Sequence, residues 1–599
     1  MNLYDRRVRE IVESYFDLEL QPDLLEQLET KTLRGGDWLF EEGDAGDSLY
    51  FLVRGRLQAW ISASGQDSDS KAILLGEIIP GESVGEVGLI SGEPRSAGIQ
   101  AIRDSLLIRI DRKKFEQLAE QHPVLLSKLA ANVGRMLQKR NSTSKAASRS
   151  LKTITLLALG DNADVSAYCD QFIEELSKLS SMLMVSTDNL ADAGAPVASL
   201  PHNQQLPESL RHWLSDQEDH YDFIVYRCTH GESPWSNFAK RQSDIVLLVA
   251  DTEDNPENLA WDTQETSPDN PPVGRRALIL LQRDRFKISQ TARWLDRCSL
   301  NFHLHMEKGR KEDIQRAVRV VTGTATGLVI GGGAARGLAS LGVVKALVEA
   351  GINIDWVGGT SIGSIMAAGV ATGWAPESAI TRSRESFKGG KPFGDFTIPV
   401  ISLLRGRRMK NLLKTHLDFQ IEDLVLPYFC VSTNLGRGTR NIHEHGSLVD
   451  AIRASAALPG VLPPAVVDGE LAVDGAVLNN LPVDIMNQKP VGKIIAVDFT
   501  APVPSKVDYA EAPSPWAVLR GRWLPFSRRY RIPGLTSILL KSTEAGTQER
   551  VRKHGAMADL LIDPQVRQFG MTDVKSFDQI VQAGYDRACE LLDKAPDDD

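Results

Sequence analysis

The run Asp355-Trp356-Val357-Gly358-Gly359-Thr360-Ser361-Ile362-Gly363-Ser364-Ile365-Met366-Ala367-Ala368-Gly369, continuing to Trp374, decides how this chain is read. Gly359 to Gly363 spell G-x-S-x-G directly after a short apolar segment. A serine hydroxyl serves as a nucleophile when a tight strand-to-helix turn presents it, and small flanking residues let the backbone make that turn with positive φ. Gly359 and Gly363 are expected to supply that freedom, and Ser361 is the candidate nucleophile. The residues after Ser361 stay uncharged and rich in Ala and Gly. They predict a buried helix whose N-terminal partial positive charge faces the serine and favours a developing anion.

G-x-S-x-G alone also fits a bland glycine-rich turn, so two further stretches decide between the readings. Upstream, Gly331-Gly332-Gly333-Ala334-Ala335-Arg336-Gly337 follows Leu328-Val329-Ile330 and opens a helical pattern with Leu341, Val344, Leu347 and Val348 on one face. A glycine-rich loop at a helix start offers unbonded N–H groups to an anion. It lacks the G-K-[ST] ending of a phosphate loop and any matching acid in a second strand, so it reads as an oxyanion hole formed by Gly332 and Gly333. Downstream, Asp474 ends the strand-like run Leu471-Ala472-Val473. Asp468-Gly469, between Val466-Val467 and Leu471, has the pattern of a two-residue hairpin turn, which leaves Asp474 as the better general base.

G-G-G-x-x-R-G, G-T-S-I-G and D-G-A in this order resemble the patatin-like phospholipases, α/β enzymes with a Ser–Asp dyad and no histidine. G-L-V-I-G-G-G, V-G-G-T-S-I-G, R-A-S-A-A-L-P-G at Arg453 to Gly460 and N-N-L-P-V-D at Asn479 to Asp484 are similar to the neuropathy target esterase branch. The resemblance implies a serine esterase acting on lysophospholipids or phospholipids, in which Ser361 attacks, Asp474 takes the proton and the Gly332–Gly333 loop holds the oxyanion. Arg336, counted with that loop, would fix it by pairing with a carbonyl or an acid, or else be a helix-surface charge. Ala334 stands where the branch has another glycine, which predicts a shifted loop if the position needs positive φ. No metal or organic cofactor is implied. A rival from another class is a cyclic-nucleotide sensor whose hydrolase domain is a non-catalytic binding module.

The N-terminal part alternates apolar and polar positions in short segments separated by glycine from about Leu25 to Ile110, the pattern of a compact antiparallel β-roll. Inside it, the stretch from Pro80 to Ala97 places a glycine-rich turn before one helical turn, with Glu86 near its start and Arg95 beyond its end. This resembles the phosphate cassette of cyclic-nucleotide-binding domains. By that resemblance Glu86 would accept the ribose 2′-hydroxyl and Arg95 would pair with the cyclic phosphate, while Gly85 and Ser96 supply nearby donors; the alternative is that Glu86 and Arg95 pair with each other. A helical tail from about Phe115 to Leu137 follows, and no second helix-turn-helix pattern comes after it.

The expected organisation is therefore a cyclic-nucleotide-binding-like domain over 1–138, a polar linker over 139–150, a Rossmann-like α/β spacer over 151–320 and a patatin-like catalytic domain over 325–595. The spacer has continuous apolar runs at Ile154–Leu159, Met182–Val185, Phe223–Tyr226, Ile245–Val249 and Leu278–Leu281, as suits a parallel sheet. No G-x-G-x-x-G follows its first strand, which argues against a nucleotide site. His443-Glu444-His445 has no third ligand in view, so solvated strand polarity is preferred over a metal.

Across 599 residues the net charge is −10, which gives no support for nucleic-acid binding, and the five scattered cysteines fit a reducing cytoplasm. Neither a signal peptide nor a membrane span is visible. Against that acidic background the segment Pro513–Leu540 carries five arginines, four aromatics and no acid. Trp516, Arg520, Arg522, Trp523, Phe526, Arg528, Arg529 and Tyr530 form the expected peripheral contact with the inner membrane face.

Overall fold

The computed structural model describes residues 28–61, 73–121, 151–160, 162–197, 207–229, 233–259, 275–297, 299–390, 392–500, 548–570 and 573–594, with a few isolated positions outside them. The chain divides into two compact units, Met1–Gly323 and Thr324–Asp599.

The first unit opens with an antiparallel roll of six strands: β1 (Glu29–Leu33), β2 (Trp38–Phe40), β3 (Ser48–Ile61), β4 (Ile73–Ile78), β5 (Ser83–Val84) and β6 (Gly98–Asp111). β6 pairs with β1, β2 and β3, and β3 pairs in turn with β4 and β5. Period-two alternation assigns β3 to two cores at once, since successive side chains point to opposite faces. Leu49, Phe51 and Val53 pack with Ile108 and Ile110, whereas Tyr50 and Leu52 pack with Leu57 and Leu107. Helix α1 (Glu86–Ser91) sits between β5 and β6, and α2 (Arg112–Gln121) follows β6. The rest of the expected tail and the 139–150 linker are almost entirely outside the described residues.

A six-stranded parallel sheet follows: β7 (Thr153–Ala158), β8 (Met182–Val185), β9 (Phe223–Cys228), β10 (Ile245–Asp251), β11 (Arg275–Gln282) and β12 (Phe302–Glu307), in the order β12-β11-β10-β7-β9-β8. Helices α3 (Ala163–Ser177), α4 (Glu208–Gln217), α5 (Pro234–Gln242) and α6 (Lys311–Thr322) connect or follow these strands. Relative to the common doubly wound order 3-2-1-4-5-6, the second and third strands exchange places, which puts β8 at the edge. β12 was not expected from sequence, because its alternating histidines interrupt an apolar run. His305 is nevertheless buried, with its Nδ1 3.0 Å from Gln282 Nε2. Beyond the end of β7, where a nucleotide phosphate would lie, Asn162 donates to buried Asp251, and Lys308 pairs with Asp251 at 2.6 Å and Asp164 at 2.9 Å. The polar groups beyond β7 are thus bonded to one another.

Roll and spacer are joined by buried charge. Asp244, at the start of β10, lies 3.1 Å from Arg56 of β3 and 3.2 Å from Arg103 of β6, and all three side chains are buried. Arg103 also pairs with Glu218, and Arg56 with Glu77, which in turn takes Arg275 of β11. Burial alone would raise the Asp244 carboxyl, but Arg103, Arg56 and the N–H groups of Lys152 and Thr153 more than offset it and hold it below its ordinary value.

In the second unit an eight-stranded mixed sheet runs β17-β18-β15-β14-β13-β19-β20, with β16 also on β15. Its parallel centre is β13 (Thr326–Ile330), β14 (Trp356–Thr360), β15 (Tyr428–Asn434), β19 (Lys493–Val497) and β20 (Leu560–Ile562); β16 (Arg440–His443), β17 (Ala465–Val467) and β18 (Glu470–Asp474) are antiparallel. Around it lie α7 (Ala339–Glu349), α8 (Ile362–Ala371), α9 (Pro376–Arg384), α10 (Arg407–Leu417), α11 (Leu448–Ser455) and α12 (Phe577–Leu592). Of the four positions assigned to the buried face of α7, Leu341, Val344 and Leu347 are buried and Val348 is exposed.

Candidate active site

β14 leads straight into α8, and Ser361 is the single residue between them. It carries the turn itself, with φ 56° and ψ −124°. The turn has positive φ, and it falls on Ser361 itself; neither Gly359 nor Gly363 is in that region. They are glycine for space. A Cβ on Gly363 would lie 2.1 Å from the Ile330 carbonyl oxygen, and one on Gly359 would lie 2.5 Å from the Gly363 carbonyl. Strand β13 packs so closely under the turn that no side chain fits, and this closeness pushes the serine outward.

Asp474 ends β18, which reaches the elbow through antiparallel pairing with β15. Ser361 Oγ donates to Asp474 Oδ2 at 2.6 Å, and the Ala476 N–H donates to Asp474 Oδ1 at 2.9 Å. The carboxyl is buried, and burial pushes its pKa up to about 6 against the lowering effect of the Ser361 and Ala476 hydrogen bonds. Asp468 and Gly469 form the two-residue turn between β17 and β18, with φ of 50° and 80°. That is the sign pattern of a type I′ hairpin, and it carries Asp468 away from any direct bond to Ser361.

The loop after β13 differs in detail from its reading. Gly332 donates its N–H to the Asn480 carbonyl at 3.2 Å, so that donor is spent. No acceptor among the described residues takes the Gly333 N–H. Ala334 adopts φ 51°: the position does need a left-handed backbone, and alanine takes it without disrupting the loop. Arg336 turns to the carbonyls of Phe569 at 3.0 Å and Arg567 at 3.3 Å. Its guanidinium therefore ties the loop to the C-terminal segment and is not an oxyanion donor. Of the pair of histidines, His445 is exposed, while His443 is half-buried with its Nε2 2.8 Å from Ser432 Oγ, and burial lowers its pKa. No cluster of metal-ligating side chains occurs among the described residues.

The cassette of the first unit is closed on itself. Gly85 caps α1 with φ 92°, as a left-handed glycine turn. Arg95 donates to the Gly85 carbonyl at 2.9 Å and the Ser48 carbonyl at 2.8 Å, and its guanidinium lies 4.1 Å from the centre of the Phe40 ring. Glu86 accepts from Ser83 Oγ at 2.8 Å, and burial raises its pKa. The two charged residues are both buried without forming the ion pair considered above; Ser96 is exposed beside them.

Three family models match in succession: the cyclic nucleotide-binding domain over 30–122, the Neuropathy Target Esterase family P-loop like domain over 150–326 and the patatin-like phospholipase over 328–487. An uncharacterized NTE family protein of Mycobacterium tuberculosis is 30% identical over 97% of this chain and 95% of its own length. The chain belongs to the neuropathy target esterase family. Patatin-like phospholipase domain-containing protein 7 of Mus musculus is 27% identical over 94% of this chain and 45% of its own length, and the human domain-containing protein 6 is 28% identical over 92% and 44%. The chain thus spans less than half the length of these two animal relatives.

Two motifs that carried the resemblance to the neuropathy target esterase family also acquire physical roles. In R-A-S-A-A-L-P-G, Ser455 Oγ accepts the Ser361 N–H at 3.0 Å, and the Ala457 carbonyl accepts the Asp474 N–H at 2.9 Å. In N-N-L-P-V-D, Asn480 Nδ2 donates to the Gly332 carbonyl at 3.2 Å, while the Asn479 carbonyl accepts from Thr360 Oγ1 at 3.0 Å. The contacts to the nucleophile, to Thr360 and to the loop span 94 to 148 residues of sequence, so single-stretch reading had no signal for these partners. An apolar pocket lies along α8. It is lined by Ile365, Met366, Phe387, Met409 and Leu413, and Ile365 lies one turn beyond Ser361.

Proposed function

We propose that this member of the neuropathy target esterase family hydrolyses the acyl ester of lysophospholipids or phospholipids. Ser361 Oγ attacks the acyl carbonyl while Asp474 accepts its proton. The Gly333 N–H and the unbonded first-turn amides of α8 stabilise the tetrahedral oxyanion. Collapse expels the alcohol with the proton from Asp474, and water then cleaves the acyl-enzyme by the reverse path. The observation that carries this reading is the 2.6 Å bond from a serine on a positive-φ elbow to a buried carboxylate whose pKa lies near 6. A base with that pKa is mostly ionised at neutral pH yet still basic enough to take a proton in the transition state.

The N-terminal cassette is proposed as a regulatory or docking element, with a cyclic nucleotide as its effector if Arg95 can leave its carbonyls. Peripheral membrane contact through Pro513–Leu540 is part of the same reading. Trp516 is 80% exposed and Arg520 is exposed, whereas Arg522, Trp523, Phe526, Arg528, Arg529 and Tyr530 lie outside the described residues. Among the described residues no helix is long and apolar enough to cross a membrane.

Labelling with a fluorophosphonate probe, together with hydrolysis of a panel of lysophospholipids and phospholipids with and without cyclic nucleotides, tests the proposal. Labelling and turnover that both vanish in Ser361→Ala are expected. An unlabelled wild type that still binds the lipids would instead support a non-catalytic binding module.

A further inference from the structure

Between α9 and α10 the chain makes a short hairpin. A bridge joins Phe396 to Leu404, the Thr397 N–H donates to the Leu403 carbonyl at 3.1 Å and the Arg405 N–H to the Asp395 carbonyl at 2.9 Å. The tip between these bonds is Ile398-Pro399-Val400-Ile401. It is held outward, and its apolar side chains are left in solvent: Phe396 is 73% exposed, Ile398 80%, Val400 85% and Ile401 70%. Single exposed apolar residues are ordinary; four within six residues on an ordered loop make a patch that asks for a partner.

Charge says which partner. Arg405, Arg407, Arg408 and Lys410 follow the hairpin into the first turn of α10, which contains no acid. None of the four forms an ion pair among the described residues. A helix N-terminus carries partial positive charge and disfavours cations; among the described residues the one acid bonded to this turn, Asp395, accepts the Arg408 N–H at 3.2 Å and pairs with none of the four side chains. In a chain of net charge −10 they form a local basic collar around an apolar tip. Aliphatic and aromatic side chains that enter the acyl boundary, ringed by arginines that stay at the headgroups, are the chemistry of an interfacial anchor.

The place of the hairpin fits that role. The N–H groups of Leu403 and Leu404 donate to the carbonyls of Gly460 at 3.0 Å and Val461 at 2.9 Å. Those residues continue the segment in which Ser455 holds Ser361 and Ala457 holds Asp474. On the other side, Met409 and Leu413 of α10 line the apolar pocket with Ile365 and Met366 of α8. The hairpin is thus bonded to the segment that holds the elbow and leads into the helix that lines the apolar pocket.

We propose that the hairpin Asp395–Arg405 with the basic start of α10 is the surface on which this unit docks to an anionic lipid bilayer, delivering acyl chains toward Ser361; this rests on the lipid-ester reading of that residue. The test uses the full chain in two backgrounds. In Ser361→Ala, flotation with phosphatidylglycerol/phosphatidylcholine vesicles and with pure phosphatidylcholine vesicles, at low and high salt, measures binding without turnover. Binding to the anionic vesicles is expected to fall at least tenfold in Ile398→Asp/Val400→Asp. Arg407→Glu/Arg408→Glu is expected to weaken it severalfold and flatten its salt dependence, both with Pro513–Leu540 unchanged. In the background that keeps Ser361, the same variants should hydrolyse a soluble short-chain ester as wild type does, which shows the fold intact. Vesicle binding within twofold of wild type in Ile398→Asp/Val400→Asp overturns the proposal. A wild-type dimer that this variant splits while vesicle binding persists overturns it too, and assigns the tip to a second copy. If the vesicles bind but Ser361 proves inert toward every ester, it is the hydrolase reading that fails.

Discussion

The cassette in the first unit and the elbow in the second are built from similar material, a glycine-rich turn leading into a helix with a carboxylate close by, yet they leave their polar groups in opposite states. At the elbow, the Ser361 hydroxyl meets Asp474 and the Gly333 N–H keeps no acceptor among the described residues. In the cassette, Arg95 donates to the carbonyls of Gly85 and Ser48 and Glu86 accepts from Ser83. A turn that has spent its donors and acceptors on its own backbone must break those bonds before it can receive a ligand, whereas one that holds them in reserve is already organised for a developing charge.

The largest effect expected to sharpen this contrast is at the base. Asp474→Asn should lower kcat by about 10⁴-fold or more, since the dyad acts as a unit, while Asp468→Asn, at the hairpin turn, should stay within about tenfold of wild type. Steady-state kinetics on one lysophospholipid separates them, and equal losses would unseat Asp474. The same carboxyl fixes the pH response. It must be ionised to accept a proton, so kcat/KM should have an acid limb inflecting at about 6 and falling about tenfold per pH unit below it. An inflection near 4 would mean that burial does not tune this group.

Next in size is the buried charge joining roll and spacer. Asp244→Asn removes the shared partner of Arg56 and Arg103 and should cost the first unit about 3–5 kcal/mol, read by urea denaturation followed through signals of that unit. Because the folded pKa of Asp244 is depressed, its contribution is present above the unfolded value of about 3.9 and is lost as pH falls through the still lower folded one. Wild type should therefore lose stability below about pH 4 more steeply than Asp244→Asn. The smallest effect is expected at the cassette. Millimolar cyclic AMP or cyclic GMP should shift the melting temperature by less than about 2 °C, because Arg95 would first have to leave two carbonyls. A larger shift, abolished in Arg95→Ala, would break the contrast and show that the arginine swings to the phosphate.

What the sequence made legible were features that depend on neighbours in the chain. Glycine at 359 and 363, the Asp468-Gly469 turn and the alternating roll strands are local demands of the backbone, and each could be read within about ten residues. The fate of individual donors was hidden, because it depends on distant carbonyls. Asn480 takes the Gly332 N–H from 148 residues away, and Arg336 finds its carbonyls more than 230 residues along. β12 escaped for a different reason: a buried histidine satisfied by a glutamine on the next strand looks polar in one dimension. The flanking glycines announced a turn with positive φ but not which residue would carry it; the fold imposes it on the serine, whose exposure depends on it.

That imposed conformation gives the protein a direction of drift. A non-glycine residue held at φ 56° and ψ −124° is strained by on the order of 1–3 kcal/mol, and glycine at the same position would be relaxed. A buried carboxyl raised to about 6 is likewise ionised at neutral pH against its surroundings. On the proposed function, selection for hydrolysis keeps both in place, and a lineage released from it would move toward glycine at 361 and an uncharged residue at 474 while the sheet grew firmer. Silent descendants of this fold should therefore be well-folded proteins, with their losses concentrated at these two positions and their core sequence intact.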